Sequence, residues 1–135
     1  FDMAAMAAEE QTYVLMDGEK YTITPDGYGA PSMDVGDTAR VYFVTGGPNL
    51  TSSFHPIGSV WDEVWQQGAI ASEPNRFVQT TPVQPGSCAI TTLHAEVPGP
   101  IKLVDHALSR VARKGLLGVI MREGEANHEG FEPEI

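Results

Sequence analysis

Hydrophobic residues recur mostly at every second position along the chain, in short segments rich in β-branched and aromatic side chains. This period is typical of a β-strand with one buried face, whereas an amphipathic helix repeats about every 3.6 residues. The segments that show it are residues 13–16, 39–44, 60–65, 76–83, 88–97, 101–105 and 117–121. Turn-forming sequences such as Asp17-Gly18 bound most of them. The pattern predicts an all-β fold, a sandwich of two sheets with Greek-key connections.

One stretch departs from this period. Residues 107–114 (ALSRVARK) place cations where a last helical turn would lie, and Gly115 follows as a C-terminal cap. The sequence therefore predicts one short helix, the only substantial one in the chain, directly after His106.

The two ends of the chain differ from the middle. Residues 1–10 are rich in alanine and begin without an initiator Met, which indicates a processed or cut chain. Residues 123–135 contain five Glu and no Lys or Arg, so we expect an acidic tail or an arm on a neighbouring subunit. The predicted domain occupies residues 11–122.

Length and charge narrow the classes of function. A chain of 135 residues fits one domain, and no apolar run approaches the roughly 20 residues of a membrane span. The net charge of -10 disfavours nucleic acid and anionic membranes as partners, because both attract basic surfaces. An acidic surface with few lysines suits concentrated salt, although a docking face for a cationic partner would look similar.

Candidate chemistry depends on four histidines and one cysteine. The histidines are His55, His94, His106 and His128. The chain has no His-Glu-x-x-His, no Cys-x-x-Cys and no Gly-rich phosphate loop, so a self-contained zinc or nucleotide site is not expected. The single cysteine, Cys88, excludes an internal disulfide.

The spacing of Cys88 and His94 does not predict a metal site. A mononuclear blue-copper centre needs a second histidine and usually an axial Met around a loop. Strand alternation instead places His94 on the polar face of its strand. The inward face is expected to carry Ala89, Leu93, Ala95 and Val97.

His55 and His106 are stronger candidates, although their spacing leaves a structural role open for each. Pro56 removes a ladder donor directly after His55, so the imidazole is expected at a sheet rim. His106 follows a predicted strand and precedes the predicted helix, which would orient its ring. Since one histidine cannot hold a metal alone, a ligand role for His106 requires further ligands from another chain.

Two long motifs carry a family resemblance. Residues 46–58 (GGPNLTSSFHPIG) and 102–118 (KLVDHALSRVARKGLLG) resemble the second cupredoxin domain of copper-containing nitrite reductase. The resemblance covers residues 11–122 and includes residues 14–18 (VLMDG) and the turn at residues 81–87. It implies a cupredoxin-like Greek-key β-sandwich, and it makes residues 1–10 the remnant of an interdomain linker.

The resemblance also implies roles for four residues. In that family a type 2 copper lies between subunits, held by two histidines of one first domain and one histidine of the next subunit's second domain. His106 matches this last ligand, and His55 matches the catalytic histidine of the pocket. Ile57 matches the pocket isoleucine above the copper, and Thr81 matches the hydroxyl that positions the catalytic imidazole. The implied reaction is the dissimilatory reduction of nitrite to nitric oxide.

The first domain of the family, with the type 1 copper, is missing from the sequence. The resemblance therefore implies a partner chain carrying the N-terminal cupredoxin domain, a homotrimer, and a small electron donor, either a cupredoxin or a cytochrome c. It also implies a periplasmic or other extracytoplasmic location and a part in denitrification or nitrate assimilation. The chain would be a fragment of a cut precursor or one subunit of a split enzyme, and its acidity suggests a saline habitat.

Two other functions remain to be compared. A copper-free, cupredoxin-like module could pair with a partner chain and carry no chemistry of its own. A multicopper oxidase domain would need His-x-His pairs for its trinuclear cluster, and the sequence has none.

Overall fold

The computed structural model describes residues 1–130 of the chain. Its helical elements are a short α-helix, α1 (Met3–Ala7), and a 3-10 helix (Leu108–Arg110). The strands are β1 (Ser32–Asp34), β2 (Thr38–Thr45), β3 (Ser52–Ile57), β4 (Trp61–Gln66), β5 (Asn75–Val78), β6 (Thr81–Val83), β7 (Ser87–His94), β8 (Gly99–Asp105) and β9 (Leu117–Glu123). No helix among the described residues has the length and apolar character needed to cross a membrane.

The strands form two sheets. One sheet has the order β1-β9-β8-β3-β6 and the other the order β2-β7-β4-β5. Pairs are antiparallel apart from β1 with β9, which run parallel. Because β3 pairs with β8 and β2 with β7, the chain crosses repeatedly between the sheets. The predicted all-β sandwich is confirmed.

The core lies between the sheets and is built around aromatic side chains. The rings of Phe43 and Phe54 stack with centroids 3.8 Å apart, and Trp61 lies 4.8 Å from Phe54. The Trp61 indole donates a hydrogen bond to the Phe54 carbonyl at 3.3 Å, which satisfies its buried N–H. Phe54 thus fixes β3 to the core at the residue next to His55.

Three local expectations about the strands are wrong. Residues 13–16 form no strand, and only Met16 makes an isolated bridge, with Glu19, across the turn between them. Residues 76–83 are two strands in different sheets, because β5 pairs with β4 while β6 pairs with β3. Ala89, Leu93 and Ala95 are buried as predicted, but Val97 is 38% exposed because the strand ends at His94.

The predicted helix at residues 107–114 is also wrong. Only Leu108–Arg110 form a 3-10 helix, and the Val111 backbone (φ -77, ψ -86) departs from helical values. The Arg110 guanidinium donates to the Thr51 carbonyl at 3.0 Å and pairs with Asp105. These tertiary contacts override the helical propensity of the segment.

The ends of the chain are only partly described. The alanine-rich start contains the five-residue helix α1, with Asp2 accepting a capping hydrogen bond from Ala5 N. Residues 124–130 form no strand and are exposed. Residues 131–135 of the predicted acidic tail lie outside the described residues.

Candidate functional site

The structure brings His55 and His106 together. Their ring centroids are 5.1 Å apart, and the rings meet edge to face at 79°. The contact follows from the register of the antiparallel pair β3 and β8, in which Phe54 lies opposite Asp105. The pairing continues one residue further, since the His106 amide donates to the Ser53 carbonyl at 2.7 Å.

The His55 ring is held by the loop that connects β5 to β6. Its Nδ1 lies 2.6 Å from the Gln79 carbonyl oxygen and 3.2 Å from the Thr80 hydroxyl. A carbonyl oxygen only accepts hydrogen bonds, so Nδ1 must carry the hydrogen. This leaves Nε2 as the nitrogen that can gain and lose a proton, on a half-exposed side chain.

Thr81 was expected to position this ring, but the hydroxyl in contact with the ring is that of Thr80. Thr81 is fully buried, and its hydroxyl accepts a weak hydrogen bond from the Gln66 amide at 3.4 Å. Neighbouring residues in an extended chain point in opposite directions, so Thr81 faces the interior while Thr80 faces His55. The hydroxyl that helps to position the His55 ring is therefore that of Thr80.

His106 is held mainly through its backbone. Asp105, 1% exposed, accepts hydrogen bonds through Oδ1 from Ser53 N at 2.9 Å and Ala107 N at 3.1 Å. Its other oxygen pairs with the Arg110 guanidinium. Sequence reasoning missed this carboxylate. The sequence does contain a sign of it, because Asp105 occupies the next inward-facing position of the strand after Ile101 and Leu103.

The His106 ring itself is exposed. Within residues 1–130, no group of three His, Cys, Asp or Glu side chains could hold a metal ion. A neutral imidazole is a suitable copper ligand. The exposed ring therefore fits a copper site to which this chain contributes one nitrogen.

The remaining candidates lie in different surroundings. Ile57 is two residues beyond His55 on β3, so both side chains project from the same face, and Ile57 is 37% exposed. His94 Nδ1 lies 3.1 Å from the Thr38 hydroxyl, on the other sheet. Cys88 and His94 lie near opposite ends of β7, about 20 Å apart at the usual rise of a strand. The structure thus separates this pair.

Comparison with known proteins gives relatives of one kind. The curated copper-containing nitrite reductase of Neisseria gonorrhoeae is 40% identical over 129 residues, which cover 96% of this chain and 32% of that protein. The one from Cereibacter sphaeroides is 30% identical over 133 residues, covering 98% of this chain and 34% of that protein. The chain thus spans about a third of the length of these relatives. No family model matches it.

Solved structures agree with these matches. A copper nitrite reductase from Nitrosomonas europaea superimposes with a TM-score of 0.83 and 30% identity, over 95% of this chain and 46% of that chain. A Cu-containing nitrite reductase from Thermus scotoductus gives a TM-score of 0.79 and 26% identity, over 92% of this chain and 28% of that chain. A multicopper oxidase at 17% identity and a TM-score of 0.67 shares the fold alone. The cupredoxin-like fold inferred from the sequence is confirmed. The chain is therefore a homologue of the copper-containing nitrite reductases and corresponds to their C-terminal part.

Proposed function

We propose that this chain is part of a copper nitrite reductase that reduces nitrite to nitric oxide at a type 2 copper shared between subunits. The observation that carries the proposal is the contact between His55 and His106, with ring centroids 5.1 Å apart, on a domain homologous to part of such reductases. Two histidines far apart in sequence meet across the neighbouring strands β3 and β8, and each is held by a separate set of hydrogen bonds.

His106 is the residue that would hold the copper. Its ring is exposed and supplies one nitrogen, so the other ligands come from a second chain. Bound copper would supply a Lewis acid and a one-electron relay for nitrite. Because this chain spans about a third of the relatives' length, we assign the remaining ligands and the type 1 copper to an N-terminal cupredoxin domain in a homotrimer.

His55 is the proton donor in this proposal. Reduction of nitrite to nitric oxide takes one electron and two protons and releases water. The Gln79 carbonyl fixes Nδ1, so a protonated Nε2 can deliver one of these protons to a nitrite oxygen. Ile57, on the same face of β3, narrows the space beside the ring and limits the access of water.

The wider setting belongs to the same proposal. A small cupredoxin or cytochrome c would supply electrons, and the enzyme would work in the periplasm or another extracytoplasmic compartment. Its role would be denitrification or nitrate assimilation.

The test uses the assembled enzyme, which is this chain together with the N-terminal domain that carries the type 1 copper. His106→Ala should empty the type 2 site and abolish formation of nitric oxide, while the blue type 1 absorption remains. Copper analysis, electron paramagnetic resonance and nitric oxide detection measure these three quantities. Full type 2 occupancy in this variant would show that His106 is not a copper ligand, and wild-type assembly without copper-dependent turnover would instead support an inert binding module.

A further inference from the structure

Asp105 is a buried carboxylate beside His106 that the proposed chemistry leaves unused. It continues the inward alternation of Ile101 and Leu103 in β8, where an apolar residue would be expected. A charge with 1% exposure is costly to desolvate and persists only with compensating partners. Its partners therefore indicate what it does.

These partners surround the His106 backbone on both sides. Through Oδ1, Asp105 accepts a hydrogen bond from the Ser53 amide, and the Ser53 carbonyl in turn accepts one from the His106 amide. The same oxygen accepts from Ala107 N at 3.1 Å, the amide that directly follows His106. The Asp105 carboxylate thus fixes both the β3 backbone opposite His106 and the backbone that directly follows His106.

Arg110 completes the arrangement from the other side. Its guanidinium pairs with Asp105 Oδ2 and donates to the Thr51 carbonyl at 3.0 Å, and its side chain is 18% exposed. The two contacts hold the segment after His106 close to the start of β3. They account for the short 3-10 turn found there in place of the predicted helix.

We propose that Asp105 is a positioning residue for His106. Paired with Arg110, it holds the backbone so that the His106 ring stays beside His55 in the orientation that copper requires. Loss of the carboxylate would leave two backbone amides and a guanidinium without their acceptor, and the turn would relax. The inference rests on the proposed role of His106 as a copper ligand. Residues that orient a ligand in this way typically change metal affinity about 10- to 100-fold.

The test compares Asp105→Ala, Asp105→Asn and Arg110→Gln with Val64→Ala. Val64 is 1% exposed in the other sheet, so its truncation destabilises the fold away from His106. In the 135-residue chain, nuclear Overhauser contacts between the His55 and His106 rings report their separation without copper. In the assembled enzyme, competition with a chelator reports the affinity of the type 2 site.

We expect Asp105→Ala to lose the contact between the rings and to lower the copper affinity about 10- to 100-fold, with the type 1 absorption unchanged. Asp105→Asn should lie between Asp105→Ala and wild type, because its amide oxygen can still accept from Ser53 N and Ala107 N. Val64→Ala should lower the melting temperature and leave both readouts at the wild-type value.

If Asp105→Ala and Asp105→Asn keep the ring contact and the wild-type copper affinity, Asp105 is an ordinary structural residue and the inference is wrong. If Asp105→Ala does not fold, Asp105→Asn and Arg110→Gln decide the question with the same two readouts. If His106→Ala keeps the wild-type copper occupancy, the proposed role of His106 is wrong instead. The ring contact still shows in that case whether Asp105 holds the geometry.

Discussion

The two histidines of the site are held in different ways. The His55 ring is fixed directly, by the Gln79 carbonyl and the Thr80 hydroxyl at Nδ1. His106 is fixed through its backbone, by Ser53 and by the Asp105 carboxylate next to it. In the proposed function, the His55 ring oriented at Nδ1 offers Nε2 for proton transfer, and the exposed His106 ring offers a nitrogen to copper.

His55→Ala should separate the two roles in the assembled enzyme. We expect both coppers to remain bound and nitrite turnover to fall about 10²- to 10⁴-fold, the usual contribution of a positioned proton donor. Steady-state nitric oxide formation and copper analysis measure the effect. His94→Ala is the matched control, since His94 lies on the other sheet, and its turnover should equal wild type. Loss of the type 2 copper in His55→Ala would show that the roles of His55 and His106 are reversed.

The neighbouring threonines should respond differently to substitution by valine. Thr80→Val removes the hydroxyl 3.2 Å from the His55 ring and should lower turnover about fivefold, equivalent to one hydrogen bond of about 1 kcal/mol. Thr81→Val alters a fully buried side chain away from the ring and should leave turnover near wild type. The opposite ranking of the two turnover rates would restore Thr81 as the positioning hydroxyl.

At the level of elements, most strands could be predicted because a half-buried strand repeats every second residue. The segment at residues 39–44 shows this alternation clearly and lies within β2. The period could not show where residues 76–83 cross between sheets, because both parts have the same pattern. Nor could propensity show that Arg110 would bond Thr51 and Asp105 and so prevent a helix.

The site was predictable to a similar degree. The end of the predicted strand indicated the place of His106, and the resemblance suggested the roles of both histidines. The expectation that Pro56 puts His55 at a sheet rim is wrong, because β3 continues through Pro56 to Ile57. Their contact depends on the register of β3 against β8, which no local pattern specifies. Thr80 was missed because one residue of shift at the start of a short strand reverses which side chain faces the ring.

The central strand β3 offers a test of how the core supports the site. Phe54 is 1% exposed and stacks on Phe43, so Phe54→Ala should lower the free energy of unfolding by about 3 to 5 kcal/mol. Phe77→Ala is the control, because Phe77 is 72% exposed, and its change should be about 0.5 kcal/mol or less. Denaturant titration of the 135-residue chain measures both, and equal losses would contradict the described packing.

For the whole molecule, the net charge of -10 is the dominant electrostatic feature. Repulsion among like charges destabilises a compact state, and salt screens it with a Debye length of about 10 Å at 0.1 M and about 3 Å at 1 M. The expected saline habitat remains a prediction from composition.

Sodium chloride should therefore stabilise the chain. Between about 0.01 and 1 M salt, we expect the thermal midpoint to rise, by about 4 °C if screening contributes about 1 kcal/mol. Replacing Glu9 and Glu10, both exposed, with Gln should reduce this dependence. A midpoint that stays constant or falls with salt would show that self-repulsion does not limit stability.

The central claim concerns the assembled enzyme: His106 completes a copper site whose other ligands come from another chain. The most direct measurement is a crystal structure of the copper-loaded assembled enzyme, with diffraction data on both sides of the copper absorption edge. We predict an anomalous peak that places copper within bonding distance of a ring nitrogen of His106, at a boundary between protomers. The His55 ring should lie beside this copper without being bonded to it. A peak bonded to His55, or the absence of copper at His106 in an enzyme that reduces nitrite, would contradict the account.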